Sequence, residues 1–269
     1  MEEGAFRPSA SAQQRAQAVV LAVTSGKGGV GKTVLSANLA AALAARGQRV
    51  LVLDADLGLA NLDVLLNLYS KATLHDVFTG RASVEQAILA VPGGFHAIFA
   101  GSGMVEYSRL TTEVRERFHQ TLQSLLPNYD LILLDTGAGI SDVVLYAIGL
   151  ADEVLVVATP EPTSLTDAYA TIKVLVGQQN RQNLLMAVNQ AAKPGDGRMV
   201  VAQLQRVLDR FVNGAGTAVK LFLAGEIPFD LAVRESVVQR QLLVSGSSAS
   251  AARRGIEGLS EKLVELLRS

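Results

Sequence analysis

The chain contains no cysteine. That absence excludes a disulfide framework, a thiolate zinc site and a cysteine-held iron–sulfur cluster, so packing alone has to stabilise the fold. An excess of charge is missing too. The 24 basic residues stand against 25 acidic ones, and a formal net charge of −1 gives no global attraction to nucleic acid or anionic lipid. No apolar run approaches the ~18 residues that span a bilayer, and the polar start with Glu2 and Glu3 lacks the pattern of a secretory signal, so a cytoplasmic location is expected. The histidines His75, His96 and His119 are too scattered for metal-ligand spacing or for a Ser–His–Asp arrangement.

Aliphatic residues are abundant. Hydrophobic side chains make up 49% of 269 residues, which is ample for a sizeable core and favours one large domain. Residues 1–17, rich in Ala, Ser and Gln, read as a flexible N-terminal arm, and residues 18–269 as the domain itself. Short β-branched or leucine-rich runs at 19–23, 50–53, 95–99, 131–134, 154–158, 184–188 and 221–224 alternate with helical patterns. The alternation predicts an α/β fold, a mostly parallel twisted sheet with helices on both faces. No repeat or long linker divides it, and residues 245–250 read as a surface loop.

Directly after the first run come Gly26, Lys27, Gly28, Gly29, Val30, Gly31, Lys32 and Thr33. The spacing G-x-x-x-x-G-K-[ST] between a strand and a helix is that of a phosphate-binding loop, the mark of a P-loop NTPase. Glycines permit the bends that turn successive N–H groups inward, and the helix points its positive end at the same anion. Leu35, Leu39, Ala42 and Leu43 supply the helical spacing, and Gly47 stops it. Lys32 is then expected on the β- and γ-phosphates and Thr33 on Mg²⁺.

Two later runs end in acid. The second leads into Asp54 and Asp56, and the run at 131–134 into Asp135, Thr136 and Gly137. A phosphate loop needs hard oxygen ligands for its metal and a group that orients the attacking water, so Asp54 and Asp135 are candidates beside Mg²⁺ and Asp56 beside the γ-phosphate. Asp54 and Asp56 also fit ordinary turn or capping aspartates. Gly137 and Gly139 read either as turn glycines or as a loop that senses the γ-phosphate. Residues 161–167 read as a turn leading into a Ser/Thr-capped helix.

GKGGVGKT, the segment DADLGLANLD at 54–63 and LILLDTGAG at 131–139 together resemble the MinD/ParA family of deviant Walker-A ATPases. The resemblance runs from Val19 to the end of the chain. Within the family, DTGAGISD at 135–142 and TPEPTSLTDAYATIK at 159–173 look most like the branch that regulates flagellar number and placement. The resemblance implies ATP and Mg²⁺ as cofactors and an ATP-dependent homodimer, with Lys27 as a signature lysine that reaches the partner's phosphates. It implies that Asp56 helps to activate water, that Asp135 supports Mg²⁺, and that Asn189 contacts adenine beside Pro228 and Asp230, which act partly through backbone atoms. The counterpart of 161–167 lies near the dimer face.

As partners the resemblance implies a signal-recognition-type flagellar GTPase, a flagellar transcriptional activator or a basal-body protein. Residues 11–16 are similar, faintly, to the family's GTPase-stimulating motif. Peripheral attachment at the inner face of the membrane is a property of relatives that end in a basic amphipathic helix. Here Ile256, Leu259, Leu263, Val264, Leu266 and Leu267 form a stripe whose polar side balances Glu257, Glu261 and Glu265 against Lys262 and Arg268, so core packing is expected instead. Relatives that carry iron–sulfur clusters are excluded by the missing thiolates.

Two other functions share the loop. One is a division-site or DNA-partition ATPase of the same family; the DNA-partition role would need a basic surface, for which Arg198, Arg206, Arg210, Arg234 and Arg240 are candidates that also fit a solvated face, so nucleic acid is not the expected partner. An ATP-dependent amide-forming ligase would need a carboxylate-substrate pocket, and no polar cluster in the sequence supplies one.

Overall fold

The structure, a computed structural model, describes residues 17–57, 61–101, 110–214, 218–246 and 250–268. The arm at 1–16, with the segment at 11–16, lies outside the described residues, as do 247–249 of the expected surface loop. In chain order the elements are β1 Val19–Ser25, α1 Lys32–Ala44, β2 Val50–Ala55, α2 Leu62–Leu66, α3 Leu74–Phe78, α4 Val84–Ala87, β3 Leu89–Val91 and β4 Phe95–Ile98. Then follow α5 Thr112–Leu125, β5 Leu131–Ala138, α6 Asp142–Gly149, β6 Glu153–Ala158, α7 Pro162–Gln179, β7 Asn183–Ala191, α8 Asp196–Phe211, β8 Lys220–Pro228, α9 Leu231–Val238 and α10 Ala251–Arg268.

The strands form one sheet in the order β3-β4-β2-β5-β1-β6-β7-β8. Every pairing is parallel except that of β3 with β4. All seven strand runs read in the sequence are present. β3 is the addition: three residues are too few for a periodic signal, and it occupies the edge, where one partner suffices.

Because side chains alternate along a strand, each central strand feeds two cores. Val20 and Ala22 of β1, Leu51 and Leu53 of β2 and Ile132 and Leu134 of β5 pack under α5, α6, α7 and α8. Leu21 and Val23, Val50 and Val52, and Leu131 and Leu133 turn the other way, under α1 and α10. The unbroken apolar runs are therefore strands buried on both faces.

The stripe on α10 is core, as expected. Ile256, Leu259 and Leu263 are buried, and α10 lies close on β8, where a Cβ on Gly225 would come within 2.8 Å of Leu259 and one on Gly255 within 2.8 Å of the Glu226 carbonyl oxygen. Arg46 at the end of α1 ties the two helices by donating to Ser260 Oγ at 2.9 Å. Among the described residues no helix is long and apolar enough to cross a membrane.

Candidate nucleotide site

β1 sits at the centre of the sheet, hydrogen-bonded to β5 on one side and β6 on the other, and its carboxyl end opens into the glycine loop. This is the point where strand order reverses, the place where open α/β sheets bind ligands. Gly29 and Gly31 have φ of 80° and 89°, the left-handed region that glycine adopts without strain. Gly31 caps α1 and is pinned from above, since a Cβ there would meet Asn189 Nδ2 at 2.5 Å. Gly26 lies against the backbone of Asp167 and Ala168 in α7 too closely for any side chain. At Gly28 and Gly29 an added Cβ would meet nothing within 4 Å, so this part of the loop borders open space. Beside them is a cleft of about 550 Å³ lined by Lys32, Thr33, Asp56, Asn61 and Gly137 among others.

The strand register brings the carboxylates together. Asp54 of β2 and Asp135 of β5 are paired residues, and both are buried. Asp135 Oδ1 accepts from Ser36 Oγ at 3.0 Å and stands 4.0 Å from Lys32 Nζ. Burial raises the Asp135 carboxyl from its ordinary range, while Lys32, Thr33 and Ser36 pull it back. Burial and then the neighbouring Asp135 charge push Asp54 well up. Asp54 Oδ1 accepts from the Asp56 amide at 3.1 Å, but Oδ2 is buried with no hydrogen-bond partner among the described residues. Two buried carboxylates, one with an orphaned oxygen, beside a threonine hydroxyl at a phosphate loop make a donor set that fits Mg²⁺, which takes one or two carboxylates and completes its shell with phosphates and water. Among the described residues no cluster of three or more His, Cys, Asp or Glu forms a self-sufficient metal cage.

Asp56 is half-buried and lines the cleft. Gly137 leaves it room, since a Cβ there would lie 3.4 Å from Asp56 Oδ1. Beyond it the Gly139 amide donates to the Ser25 carbonyl at 2.9 Å, and Thr136 Oγ1 to the Val23 carbonyl at 3.1 Å, so the end of β5 is tied to the start of the loop. Residues 58–60 of the DADLGLANLD segment lie outside the described residues.

Past the central strands a second cleft of about 520 Å³ opens at the ends of β6, β7 and β8, lined by Thr159, Pro160, Glu161, Gln190, Ala192 and Phe229. Asn189 stands between the two clefts. Its Nδ2 donates to the Val30 carbonyl at 2.8 Å and its Oδ1 accepts from the Gln190 amide at 3.0 Å. Pro228 ends β8, and Phe229 is 62% exposed at the rim. Asp230 caps α9, accepting from the Ala232 amide at 3.0 Å and the Ala252 amide at 3.3 Å, which holds its carboxyl below the usual range.

Sequence reasoning missed two parts of this arrangement. Ser36 reads as one more α1 residue, yet it braces Asp135. Glu161 and Thr163 both bond Lys27 Nζ, at 2.9 Å each, from 134 and 136 residues away, and no local pattern signals such a contact. The segment 161–167 also differs in detail. α7 starts with Pro162 in its first turn after an uncapped Glu161, and Ser164 Oγ accepts from the Thr159 amide instead of capping the helix. Arg198, Arg206 and Arg210 lie on the exposed face of α8, and Arg234 and Arg240 are exposed at and after α9.

A glycine loop between a central strand and a helix, with lysine and paired aspartates converging on it, defines a P-loop nucleotide-binding protein. Residues 18–186 match the family model described as an AAA domain. The chain is 41% identical to the Antiactivator FleN of Pseudomonas aeruginosa, covering 91% of this chain and 85% of that protein. It is 34% identical to the Flagellum site-determining protein YlxH of Helicobacter pylori, covering 83% and 74%. The septum site-determining protein MinD of Pyrococcus horikoshii, solved in complex with Mg-ADP, superimposes with a TM-score of 0.73 at 26% identity, covering 93% of this chain and 97% of that one. The chain belongs to the MinD/ParA family of P-loop ATPases.

Proposed function

We propose that the chain is an ATP-dependent dimerisation switch that regulates flagellar number and placement. The observation that carries the nucleotide chemistry is the convergence of Lys32, Thr33, Asp54 and Asp135 on the glycine loop at the sheet's centre. The loop amides and Lys32 hold the phosphates, while Thr33, Asp54 and Asp135 hold Mg²⁺, which when bound neutralises charge on the phosphate oxygens. Asp56, lining the cleft, orients the attacking water and receives its proton. Gly26, Gly28, Gly29, Val30 and Gly31 supply backbone that approaches the anion without side-chain interference.

The second cleft takes the base, with Asn189, Pro228 and Asp230 at its border. Asn189 and Asp230 do this partly through the backbone they fix, since their side chains already bond main-chain groups. Lys27, at the mouth, serves a partner subunit's phosphates. The flagellar role is supported by the likeness to an antiactivator and to a flagellum site-determining protein over most of the chain. The proposed protein partners are a flagellar transcriptional activator, a basal-body protein or a signal-recognition-type GTPase.

Asp56→Ala protein, impaired in hydrolysis, is expected to elute as a dimer with Mg·ATP and as a monomer with ADP. Elution as a monomer at every ATP concentration would refute the switch. Pull-downs with the ATP-locked and ADP-bound forms then identify the partner, which is expected to follow one form only.

A further inference from the structure

Lys27, proposed above to serve a second subunit, is held by its own. Its Nζ pairs with Glu161 Oε2 at 2.9 Å and donates to Thr163 Oγ1 at 2.9 Å. The backbone beneath is fixed as well. Gly26 is packed on Asp167 and Ala168 with no space for a side chain, and Ser25 Oγ donates to the Lys27 carbonyl at 3.0 Å. Lys27 therefore leaves the loop at a set place, one ordinary lysine reach from the start of α7. An ammonium has three donors, and this contact engages two of them in one direction. To meet a phosphate outside its subunit, the side chain has to swing off both acceptors.

We infer that Glu161 and Thr163 are positioning residues that clasp Lys27 in the free subunit, and that pairing of two copies on ATP exchanges this clasp for the partner's phosphates. The inference rests on the ATP-dependent dimer proposed above. Anionic phosphate outcompetes a single carboxylate for the ammonium, so the clasp yields only when a triphosphate is presented across the interface. ADP-bound or empty subunits keep Lys27 at home. Each dimer opens two clasps, and the cost enters its formation constant twice. An exposed ion pair shifts an equilibrium by about 1.5- to 5-fold, so two shift it by about 2- to 30-fold. The pair is open to solvent, with Lys27 36% and Glu161 60% exposed, so salt weakens it.

Two measurements on the full chain test this. In nucleotide-free protein, an amine-reactive ester followed by peptide mass spectrometry reports how freely Lys27 reacts, with exposed Lys173 as internal reference. Glu161→Gln is expected to raise Lys27 labelling relative to Lys173 by about 1.5- to 5-fold, a readout that involves no dimer. In the Asp56→Ala background with Mg·ATP, adding Glu161→Gln is expected to lower the protein concentration for half-dimerisation by about 2- to 30-fold. Thr163→Val should do the same to a smaller degree, and the gap between Glu161→Gln and its parent should close as salt rises. Unchanged labelling, or pairing that is equal or weaker in Glu161→Gln, would overturn the clasp and in the latter case assign Glu161 to the joined state. Raised labelling with no ATP-dependent dimer in either protein would overturn the exchange by removing the dimer it depends on.

Discussion

Beside the phosphate loop, around β1, β2 and β5, charge is buried: Asp54 is 1% and Asp135 2% exposed, and Lys32 lies close by with 10% of its side chain exposed. At the other end, beyond β7 and β8, the second cleft is rimmed by exposed Phe229 and Gln190, and Asn189 and Asp230 beside it spend their side-chain atoms on backbone amides and a carbonyl. A buried charge is stable only with a specific companion at a specific place, so the phosphate end is written in fixed residue types. For the base binding proposed at the open end main chain can do the work, and many side chains can stand over the same main chain.

The largest expected effect tests the phosphate end. Lys32→Ala removes a charge-assisted contact and should weaken Mg·ATP by about 10- to 150-fold in titration calorimetry, the equivalent of about 1.5–3 kcal/mol. An unchanged affinity would break the comparison outright. Asp54→Asn should act in two directions. It replaces a carboxylate that repels Asp135 with an amide donor, so thermal unfolding without nucleotide should show a gain of about 1–2 kcal/mol, whereas Mg²⁺-dependent ATP affinity falls. Loss of stability in the empty protein would mean that Asp54 is not the strained member of the pair. The smallest effect belongs to the border between the clefts. Asn189→Ala forfeits two neutral hydrogen bonds, of which the one to the Val30 carbonyl holds the loop and should account for about 1 kcal/mol or fivefold in affinity, with ATP and GTP suffering alike. A loss confined to ATP would move Asn189 wholly into base recognition.

The same contrast explains what could be read from the residues. The glycine loop, the aspartates after the second and fifth strands and the doubly buried strands are local patterns, each produced by one stretch of chain meeting one physical demand. The stripe of α10 announced a packed helix because its polar side was balanced. β3 escaped notice because three edge residues carry no period. Ser36 looked like any small helical residue until β5 placed Asp135 beside it. The partners of Lys27 lie across the sheet, and only the folded register of β1 against β6 brings the start of α7 to the loop.

Gly26 and α7 touch with no space for even a methyl group between them. Loop and helix therefore cannot slide past one another at this point: a shift of α7 toward the sheet has to carry the first glycine of the loop along with it.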